Sequence, residues 1–487
     1  MKNLYIADLH IHSRYSRATS RDCIPEMLEF TAARKGIGIL GSGDFTHPAW
    51  REELKEKLEK NEEGLYVLKK EYQKDTGRKE RPKFIISGEI SSIYKKNGKV
   101  RKVHSLILLP DLEAAQKLAF KLETIGNLHS DGRPILGLDC RDLVEITLSV
   151  CPDAIYIPAH IWTPHFSLFG AFSGFDTIEE CYEDMTPYIH ALETGLSSDP
   201  AMNWQLSALD PYFLISNSDA HSPAKLGREG NLLEGECSYL ALKEALTTGK
   251  GLLGTIEFFP EEGKYHYDGH RNCGVCLSPK EAEKFSGKCP VCGRKLTIGV
   301  SHRICQLADR PEGIIPKNNR PYESLVPLQE VIASCLDCGI ESTKAERMYE
   351  TMLQQLGTEF EILRQLPKEE IASKVGGRIA EGIRRLREGK VFRTPGYDGE
   401  YGSIAFFSPE EKAEMEGQLC LFSGIGQKEP SQISYKIPSQ PTKEAIEKEK
   451  IDRPIKSEML NEKQKEAAEF SGRTAAVIAR PGTGKTK

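Results

Sequence analysis

Seven short apolar runs, separated by helix-like or loop segments, occupy the first 255 residues and constrain the fold more than any other feature of the chain. Strands alternating with helices at this spacing are typical of a mostly parallel α/β sheet or barrel. Seven strands over about 250 residues fit a barrel-sized α/β domain better than a small open sheet. The runs are Leu4–Leu9, Ile37–Gly41, Phe84–Ser87, Val103–Leu109, Ala154–Ala159, Ile189–Glu193 and Phe213–Asn217.

The first run leads into two histidines, His10 and His12. Residues i and i+2 of a strand point to the same face, so the two imidazoles project together. Neutral histidine is the commonest metal ligand in proteins. A single pair of this kind near a chain terminus is also explained by a surface position. The choice between a metal site and an incidental surface pair therefore depends on whether other strands end in ligand-type residues.

Ligand-type side chains stand at or just past the ends of the other runs as well. Loops at the carboxyl ends of strands build the active sites of barrels and open α/β folds. Chance rarely places ligand types at nearly every strand end, so the pattern predicts a metal centre. These residues are Asp44 and His47 after the second run, Glu89 after the third, His160 and His165 after the fifth, Glu193 after the sixth, and Asp219 and His221 after the seventh.

His104 stands near the start of its run rather than at the end. The dipeptide Asn97-Gly98 lies between two alternating stretches, which is the strongest short-range signal for a two-residue hairpin. With that turn, Glu89 faces Leu106, and His104 becomes its diagonal neighbour on the same face at about 7–8 Å. Both side chains can then reach one metal cluster, although a register slip of one residue would separate them.

The donor set mixes imidazoles and carboxylates and is too large for one ion. Two or three ions of Zn²⁺, Mn²⁺ or Fe²⁺ fit it, with Mg²⁺ as a further option that usually prefers oxygen and water. Clustered metals activate water and stabilise attacking and leaving oxygens, so we predict hydrolysis of a phosphate ester. Asp219 is the expected bridge, and Asp219, His221 and Glu89 are the expected catalytic residues. The predicted ligands are His10, His12, Asp44, Glu89, His104, His160, Asp219 and His221.

Thirteen cysteines include two matched C-x-x-C pairs. In a reducing compartment such pairs indicate metal binding rather than disulfides. Cys273, Cys276, Cys289 and Cys292 have the spacing of a zinc ribbon, and four thiolates would close the tetrahedron of one structural zinc. The alternative is a redox-active dithiol. A third pair, Cys335-x-x-Cys338, has no partner pair nearby and is better explained by helix packing.

The composition is that of a folded protein, with 39% hydrophobic and 28% charged residues among 487. The net charge of −5 argues neither for nor against a nucleic-acid partner. No apolar run approaches about 18 residues, which predicts no membrane span and a cytoplasmic protein. Residues 51–82 are densely charged and predict a solvated helix. Residues 325–393 have helical periodicity, and residues 423–457 have the composition of a linker.

Residues 374–393 carry seven basic side chains against two acids. A run of one sign is typical of contacts with DNA phosphates, and a solvated helix face is the alternative. The candidates for phosphate contact are Lys374, Arg378, Arg384 and Arg385.

The last residues contain a phosphate-cradling pattern, in which Ala479 replaces the usual first glycine. With the preceding LNEKQKEAA it resembles the start of a superfamily 1 DNA helicase. The rest of a nucleotide hydrolase is missing, so no ATPase activity is expected. The pattern residues are Gly482, Gly484, Lys485 and Thr486.

H-x-H after the first run, G-E in the third and S-D-A-H after the seventh resemble the polymerase-and-histidinol-phosphatase (PHP) superfamily. That resemblance implies a distorted seven-stranded β/α barrel with a trinuclear metal centre. Across roughly residues 1 to 420, the motifs ADLHIHSRYSRATS, GSGDFTHPAW, PAHIWTPHFSLFG, ETGLSSDPAMNW, NSDAHSP and TPGYDGEYG resemble endonuclease Q. The superfamily places a further ligand shortly after H-x-H, where this chain has Arg17. It also has an Asp-His pair where this chain has Asp44-Phe45, with His47 displaced.

The endonuclease Q resemblance implies a nuclease that nicks double-stranded DNA on the 5′ side of deaminated bases (uracil, hypoxanthine, xanthine) or abasic sites. Replication or repair proteins are the further partners expected. A flipped nucleotide needs a pocket, and unstacking costs least at a mispaired base. The loop after the sixth run supplies the candidates Glu193, Ser197 and Ser198, with an ordinary capped loop as the alternative.

Two other functions are compatible with the same residues. One is a PHP-type phosphomonoesterase of small esters, and the other is a non-catalytic DNA-binding module fused to a helicase. The cysteine module and the basic helix favour DNA, and unused buried ligand clusters would be costly. The predicted divisions are a hydrolase barrel at 1–255, a zinc module at 256–324, a helical DNA-binding region at 325–422, a linker at 423–457 and a truncated helicase segment at 458–487.

Overall fold

A computed structural model describes residues 3–317 and 319–415. All of them belong to the first of two units into which the chain divides, 1–419 and 420–487. The predicted linker 423–457 and the segment 458–487, with Gly482, Gly484, Lys485 and Thr486, lie outside the described residues. The helicase resemblance and the domain limits therefore stay predictions.

The described residues form a mixed α/β fold, with one large sheet and three two-stranded sheets. The strands are β1 (Leu4–Asp8), β2 (Ile39–Gly41), β3 (Leu58–Lys60), β4 (Tyr66–Leu68), β5 (Lys83–Lys96), β6 (Lys99–Leu109), β7 (Ile135–Leu136), β8 (Ile155–Pro158), β9 (Ala191–Glu193), β10 (Phe213–Ile215), β11 (Gly230–Glu234), β12 (Leu252–Glu257), β13 (Asp268–His270), β14 (Val275–Leu277), β15 (Tyr322–Ser324), β16 (Phe392–Thr394) and β17 (Ser403–Ala405).

Helices lie between most strands and form a cluster after β15. They are α1 (Pro25–Lys35), α2 (Pro48–Lys57), α3 (Leu112–Glu123), α4 (Cys140–Val150), α5 (Ile178–Tyr182), α6 (Pro200–Asn203), α7 (Tyr239–Thr248), α8 (Pro279–Lys284), α9 (Val300–Leu307), α10 (Leu328–Leu336), α11 (Thr343–Leu356), α12 (Glu359–Arg364), α13 (Lys368–Val375), α14 (Gly377–Arg387) and α15 (Pro409–Met415).

All seven predicted apolar runs form strands, which confirms the strand reading of the first 255 residues. The main path of the sheet is β15-β12-β11-β1-β2-β5-β4-β3, with β6 pairing with β5 and β8, and β7 with β5. Strands β1, β2 and β5 pair in parallel, whereas β11, β4 and β6 join antiparallel. β9 and β10 form a separate parallel pair. Closure into a seven-stranded barrel stays a prediction.

The hairpin at Asn97-Gly98 is confirmed with the predicted register. Both turn residues have positive φ, 52° and 73°, as a two-residue hairpin turn requires. Glu89 pairs with Leu106 across β5 and β6. This register, with Ser91 opposite His104, brings two predicted ligands to the same face.

The solvated helix predicted over 51–82 is wrong beyond its first turns. Helix α2 ends at Lys57, and the chain continues as the antiparallel hairpin β3–β4. Leu58, Tyr66 and Leu68 of this hairpin are buried, and β4 pairs with the edge of β5. Burial of these few apolar residues outweighs the helical preference of the surrounding charged ones.

The cysteine-rich segment is inserted between two strands of the large sheet, because β12 pairs in parallel with β15 on its far side. The helical periodicity of residues 325–393 is confirmed by α10 to α14. Cys335 is fully buried in α10, as expected for a packing cysteine. Among the described residues, every helix is too short or too polar to cross a bilayer.

Candidate metal centre

Predicted ligands from distant parts of the chain converge, some from segments after strands and two, Glu89 and His104, from within β5 and β6. His10, His12 and Glu89 have no exposed surface, and His104 and His160 are 7% exposed. They are supplied by the segment after β1 (His10 and His12), by β5 (Glu89), by β6 (His104), and by the loops after β8 (His160) and β10 (Asp219).

A first ligand group comprises His10, His12, Glu89 and Asp219, whose donor atoms all lie within 4.8 Å of one another. His12 Nε2 is 3.0 Å from Asp219 Oδ1 and 3.4 Å from Glu89 Oε2. His10 Nε2 is 3.7 Å from Glu89 Oε2 and 3.8 Å from Asp219 Oδ1. Two imidazoles and two carboxylates thus face one another around a small volume.

A second ligand group comprises Glu89, His104 and His160. Glu89 Oε1 is 2.5 Å from His104 Nδ1 and 2.9 Å from His160 Nε2. The two oxygens of Glu89 therefore serve different groups. The sequence pointed to Asp219 as the bridge, but the residue common to both groups is Glu89.

The chemistry of these groups fits divalent cations. His10 Nε2 is buried without a hydrogen-bond partner among the described residues, although buried polar atoms are nearly always paired. Burial disfavours the charged form of Glu89, yet His104 and Arg133 hold its pKa well below the ordinary value. Burial lowers the pKa of His104 to about 4, against the opposing effect of Glu89.

Two further carboxylates lie behind the imidazoles rather than between them. Asp44 Oδ1 is 3.1 Å from His12 Nδ1, and its other oxygen accepts from Ser13 and Ser16. Glu193 contacts His10 Nδ1 at 3.0 Å through both oxygens. Such partners of a ligating histidine fix its tautomer and orientation. The sequence expected Asp44 among the ligands and Glu193 in a base pocket.

Asn217 and the backbone of His160 complete the support of Glu193. Asn217 Nδ2 donates to Glu193 Oε1 at 2.8 Å, and the His160 amide donates to Glu193 Oε2 at 2.8 Å. The carboxylate of Asp8 accepts from the amides of Ser218 and Gly227, on both sides of Asp219. The strand-end residues are therefore held by a buried polar network.

Three predicted ligands occupy left-handed backbone conformations. The φ angles are 49° at Asp44, 31° at His160 and 47° at Asp219. Such conformations cost energy in residues other than glycine and cluster at functional sites. The surrounding fold therefore imposes the positions of these side chains.

A pocket of about 250 Å³ opens onto both ligand groups. Ser197 lines it, whereas Ser198 is buried and donates to Thr194 O at 3.0 Å. The wall of the pocket consists of His104, Arg133, His160, Thr163, His165, Phe166, Glu193, Gly195, Leu196, Ser197, Asn217 and Asp219.

The remaining histidines take different positions. His221 packs its ring 4.4 Å from that of His12, and its Nδ1 contacts Asp219 O at 2.9 Å. His165 lines the pocket and stacks on Phe172. His47 lies apart from both ligand groups, stacked on Tyr15.

Gly195 allows the pocket loop to approach His160. Its φ is +64°, and a Cβ there would stand 2.4 Å from His160 Cβ. We expect Gly195→Ala to lower catalytic rate by roughly 10- to 100-fold through displacement of His160, measured with any substrate that the protein cleaves. Gly77→Ala is the control, since Gly77 has φ +66° and nothing within 4 Å. Equal rates for the two variants would contradict this role of Gly195.

Arg133 is a site residue that the sequence did not reveal. It lies in the loop before β7, and its Nη1 donates to Glu89 Oε2 at 3.0 Å. The turn-rich stretch around Arg133 contains no apolar run, so the sequence offered no strand end at which to expect a site residue. One local indication is the preceding Gly132. A Cβ at Gly132 would stand 2.2 Å from Asp44 Oδ2, so the loop must pass close to the centre.

The cysteine module brings three of its four predicted ligands together with a histidine. Donor atoms of Cys273, Cys289, Cys292 and His270 lie within 4.8 Å of one another. Cys276 stands apart, with its Sγ 4.0 Å from Pro395 O, and burial raises its pKa to about 12. A zinc ribbon with four cysteines stays a prediction.

The basic helix uses much of its charge internally. Arg384 pairs with Glu381 at 2.7 Å, and Arg385 pairs with Glu411 at 2.7 Å and donates to Phe406 O. Lys374 is exposed. Arg378 lies over the ring of Phe407.

Known proteins share this architecture. Residues 327–390 match the family model described as the MJ0043 C-terminal domain. The chain is 32% identical to the uncharacterized protein MJ0043 of Methanocaldococcus jannaschii over 286 residues, 56% of this chain but 35% of that protein. The chain thus spans about a third of that relative. It is 29% identical to the uncharacterized protein YqxK of Bacillus subtilis over 83% of this chain and 100% of that protein.

Among solved structures, the lesion-specific endonuclease PfuEndoQ from Pyrococcus furiosus is 32% identical with a TM-score of 0.73, over 83% of this chain and 95% of that one. The chain belongs to the endonuclease Q family. A second structure, endonuclease Q in complex with a 27-mer duplex substrate with an abasic lesion at the active site, matches with 32% identity and a TM-score of 0.73, covering 85% of this chain and 100% of that one. Membership of this family supports the assignment of the chain as a DNA repair endonuclease.

Proposed function

We propose that this protein is a metal-dependent endonuclease that hydrolyses double-stranded DNA on the 5′ side of a deaminated base or an abasic site. The observation that carries the proposal is the pair of ligand groups that share Glu89, of which His104, His160 and Asp219 line the pocket. A duplex with an abasic lesion occupies the active site of one endonuclease Q neighbour. Family membership and site chemistry therefore point to the same reaction.

Divalent ions are the cofactors that this donor set suits, with Zn²⁺, Mn²⁺ or Fe²⁺ favoured by its imidazoles. His10, His12 and Asp219 would hold one ion and His104 and His160 a second, with Glu89 between them. Bound ions would supply an activated water and neutralise charge on the phosphate. Cys273, Cys289, Cys292 and His270 would hold a structural zinc, as a closed tetrahedral site.

The chain's own residues prepare the centre for hydrolysis. Glu193 and Asp44 hold the Nδ1 atoms of His10 and His12, which leaves both Nε2 atoms directed at the first group. In the reaction, a water oxygen bonds to phosphorus, and the bond from phosphorus to one deoxyribose oxygen breaks. The departing oxygen takes a proton, so one end carries a hydroxyl and the other a phosphate monoester.

The pocket is where a flipped nucleotide would lie, with Ser197 and the Gly195 backbone along one wall. Glu193 then acts from behind His10 rather than on the base. DNA beyond the lesion would contact the exposed Lys374, while Arg384 and Arg385 stabilise the helical region through their acidic partners.

A nicking assay tests the proposed function. Labelled duplexes with one uracil, one hypoxanthine, one abasic site or no lesion are incubated with the protein and Mn²⁺, Zn²⁺ or Mg²⁺. We expect a metal-dependent 5′-side nick in the damaged duplexes, and we expect Asp219→Ala to slow it by more than about 100-fold. Asp75→Ala is the control, because Asp75 is an exposed loop carboxylate that accepts a hydrogen bond from Gly77 N.

Two outcomes would contradict the proposal. Phosphate release from small esters without DNA nicking would indicate a phosphomonoesterase. Binding of the damaged duplex with metal present and no cleavage would indicate a non-catalytic module.

A further inference from the structure

Arg133 places a guanidinium in the pocket beside the residue that both ligand groups share. Its side chain is 27% exposed, and its Nη1 donates to the fully buried Glu89 at 3.0 Å. Glu89 raises the pKa of Arg133, burial opposes this, and Asp219 adds to the increase. Among the residues that line the pocket, Arg133 is the only lysine or arginine.

The loop that carries Arg133 is anchored on the segments that hold the ligands. The Gly132 amide donates to Tyr15 O at 3.0 Å, and Thr46 Oγ1 donates to Gly132 O at 3.1 Å. The Arg133 amide donates to Asp131 Oδ1 at 3.1 Å. These contacts hold the backbone at Arg133 beside the ligand segments, and the hydrogen bond to Glu89 holds its guanidinium at the pocket.

The guanidinium retains donor capacity. Arginine has five N–H donors, and within the described part of the chain Glu89 accepts its one side-chain hydrogen bond. A guanidinium fits two phosphate oxygens at once and does not lose its charge at any working pH. A phosphodiester entering the pocket toward Glu89 and Asp219 therefore meets this cation.

We propose that Arg133 is a catalytic residue that donates to a non-bridging oxygen of the scissile phosphate. The inference rests on the proposed function. Arg133 would stabilise the negative charge that builds up on that oxygen as water adds to phosphorus. Donors preorganised at a point of developing charge typically contribute 10²- to 10³-fold in rate. Arg133 exchanges no proton in the reaction.

The alternative is that Arg133 acts only through Glu89, as a positioning residue. Loss of the arginine would then change metal binding, because Glu89 belongs to both ligand groups. Metal content measured by mass spectrometry separates the two roles without any activity measurement.

The experiment compares four proteins: wild type, Arg133→Ala, Arg133→Lys and Arg347→Met. Arg347→Met is the matched control, since Arg347 is exposed on α11 and does not line the pocket. Nicking of an abasic duplex, metal content and binding of the duplex in EDTA are measured for each. We expect Arg133→Ala to lower kcat by about 100- to 1000-fold with unchanged metal content. Added guanidinium should restore part of that rate.

Arg133→Lys keeps a charge but loses the two-pronged geometry, so we expect an intermediate rate. It also serves as the test if Arg133→Ala does not fold. Loss of metal from a slow, folded variant would overturn the proposal in favour of positioning. Rates equal to that of Arg347→Met would overturn it outright. An inactive wild type would instead overturn the proposed function.

Discussion

Replacing Glu89 by glutamine is expected to lower nicking by more than about 1000-fold and to strip metal from both ligand groups. The reason is that its two oxygens serve different groups, so the change removes the shared anion from each. Loss of one preorganised group that stabilises the transition state typically lowers the catalytic rate by 10²- to 10³-fold. Here one substitution affects two metal sites together. Glutamine keeps the volume of the side chain, which limits the cavity term.

The measurement is the nicking rate together with Mn²⁺ or Zn²⁺ retained after dialysis. Glu59→Gln on strand β3 is the matched control, because Glu59 is exposed and lies outside both ligand groups. A Glu89→Gln protein that holds as much metal as wild type would exclude Glu89 as a ligand. A drop in rate alone, with metal retained, would leave it a positioning role.

The second large effect is expected at the cysteine module. His270→Ala and Cys289→Ser should each lose the zinc, whereas Cys276→Ser should keep it. The structure places His270 Nδ1 3.5 Å from Cys292 Sγ, while Cys276 faces Pro395. Zinc binding in small domains provides on the order of 10–16 kcal/mol of folding free energy, so loss of the ion should unfold this insertion.

Zinc per chain and protease resistance of the region between β12 and β15 are the measurements. Cys338→Ser is a control, since Cys338 lies in the helical region outside the cluster. Loss of zinc from Cys276→Ser but not from His270→Ala would restore the four-cysteine ligand set. Either outcome leaves the metal centre at Glu89 unaffected.

Local sequence signals predicted a large part of this site. The positions of the strands depend on apolar runs of a few residues, although β5 and β6 extend beyond the predicted runs. The register of β5 and β6 depends on Asn97-Gly98, because few residues accept positive φ at both turn positions. His10, His12, Glu89, His104, His160 and Asp219 were therefore predicted, and they meet in two groups.

One prediction failed where long-range packing overrides local preference. The charged stretch after α2 has helical pairs of acids and bases, yet it forms β3 and β4 because β5 offers an open edge. That edge is not visible in a window of the sequence around α2. In α14, Arg384 pairs with Glu381 of the same helix and Arg385 with Glu411, and contact of the basic helix with DNA stays a prediction.

The sequence by itself determined that seven apolar runs form strands and which ligand-type residues stand in or after them, since these features depend on neighbours within a few positions. Only the tertiary structure decided the roles. It made Glu89 common to both groups, placed Asp44 and Glu193 behind the imidazoles, and brought Arg133 to the pocket. Glu193 is 183 residues from His10 along the chain. Contacts of a few ångströms between such distant residues depend on loop geometry, which no local pattern specifies.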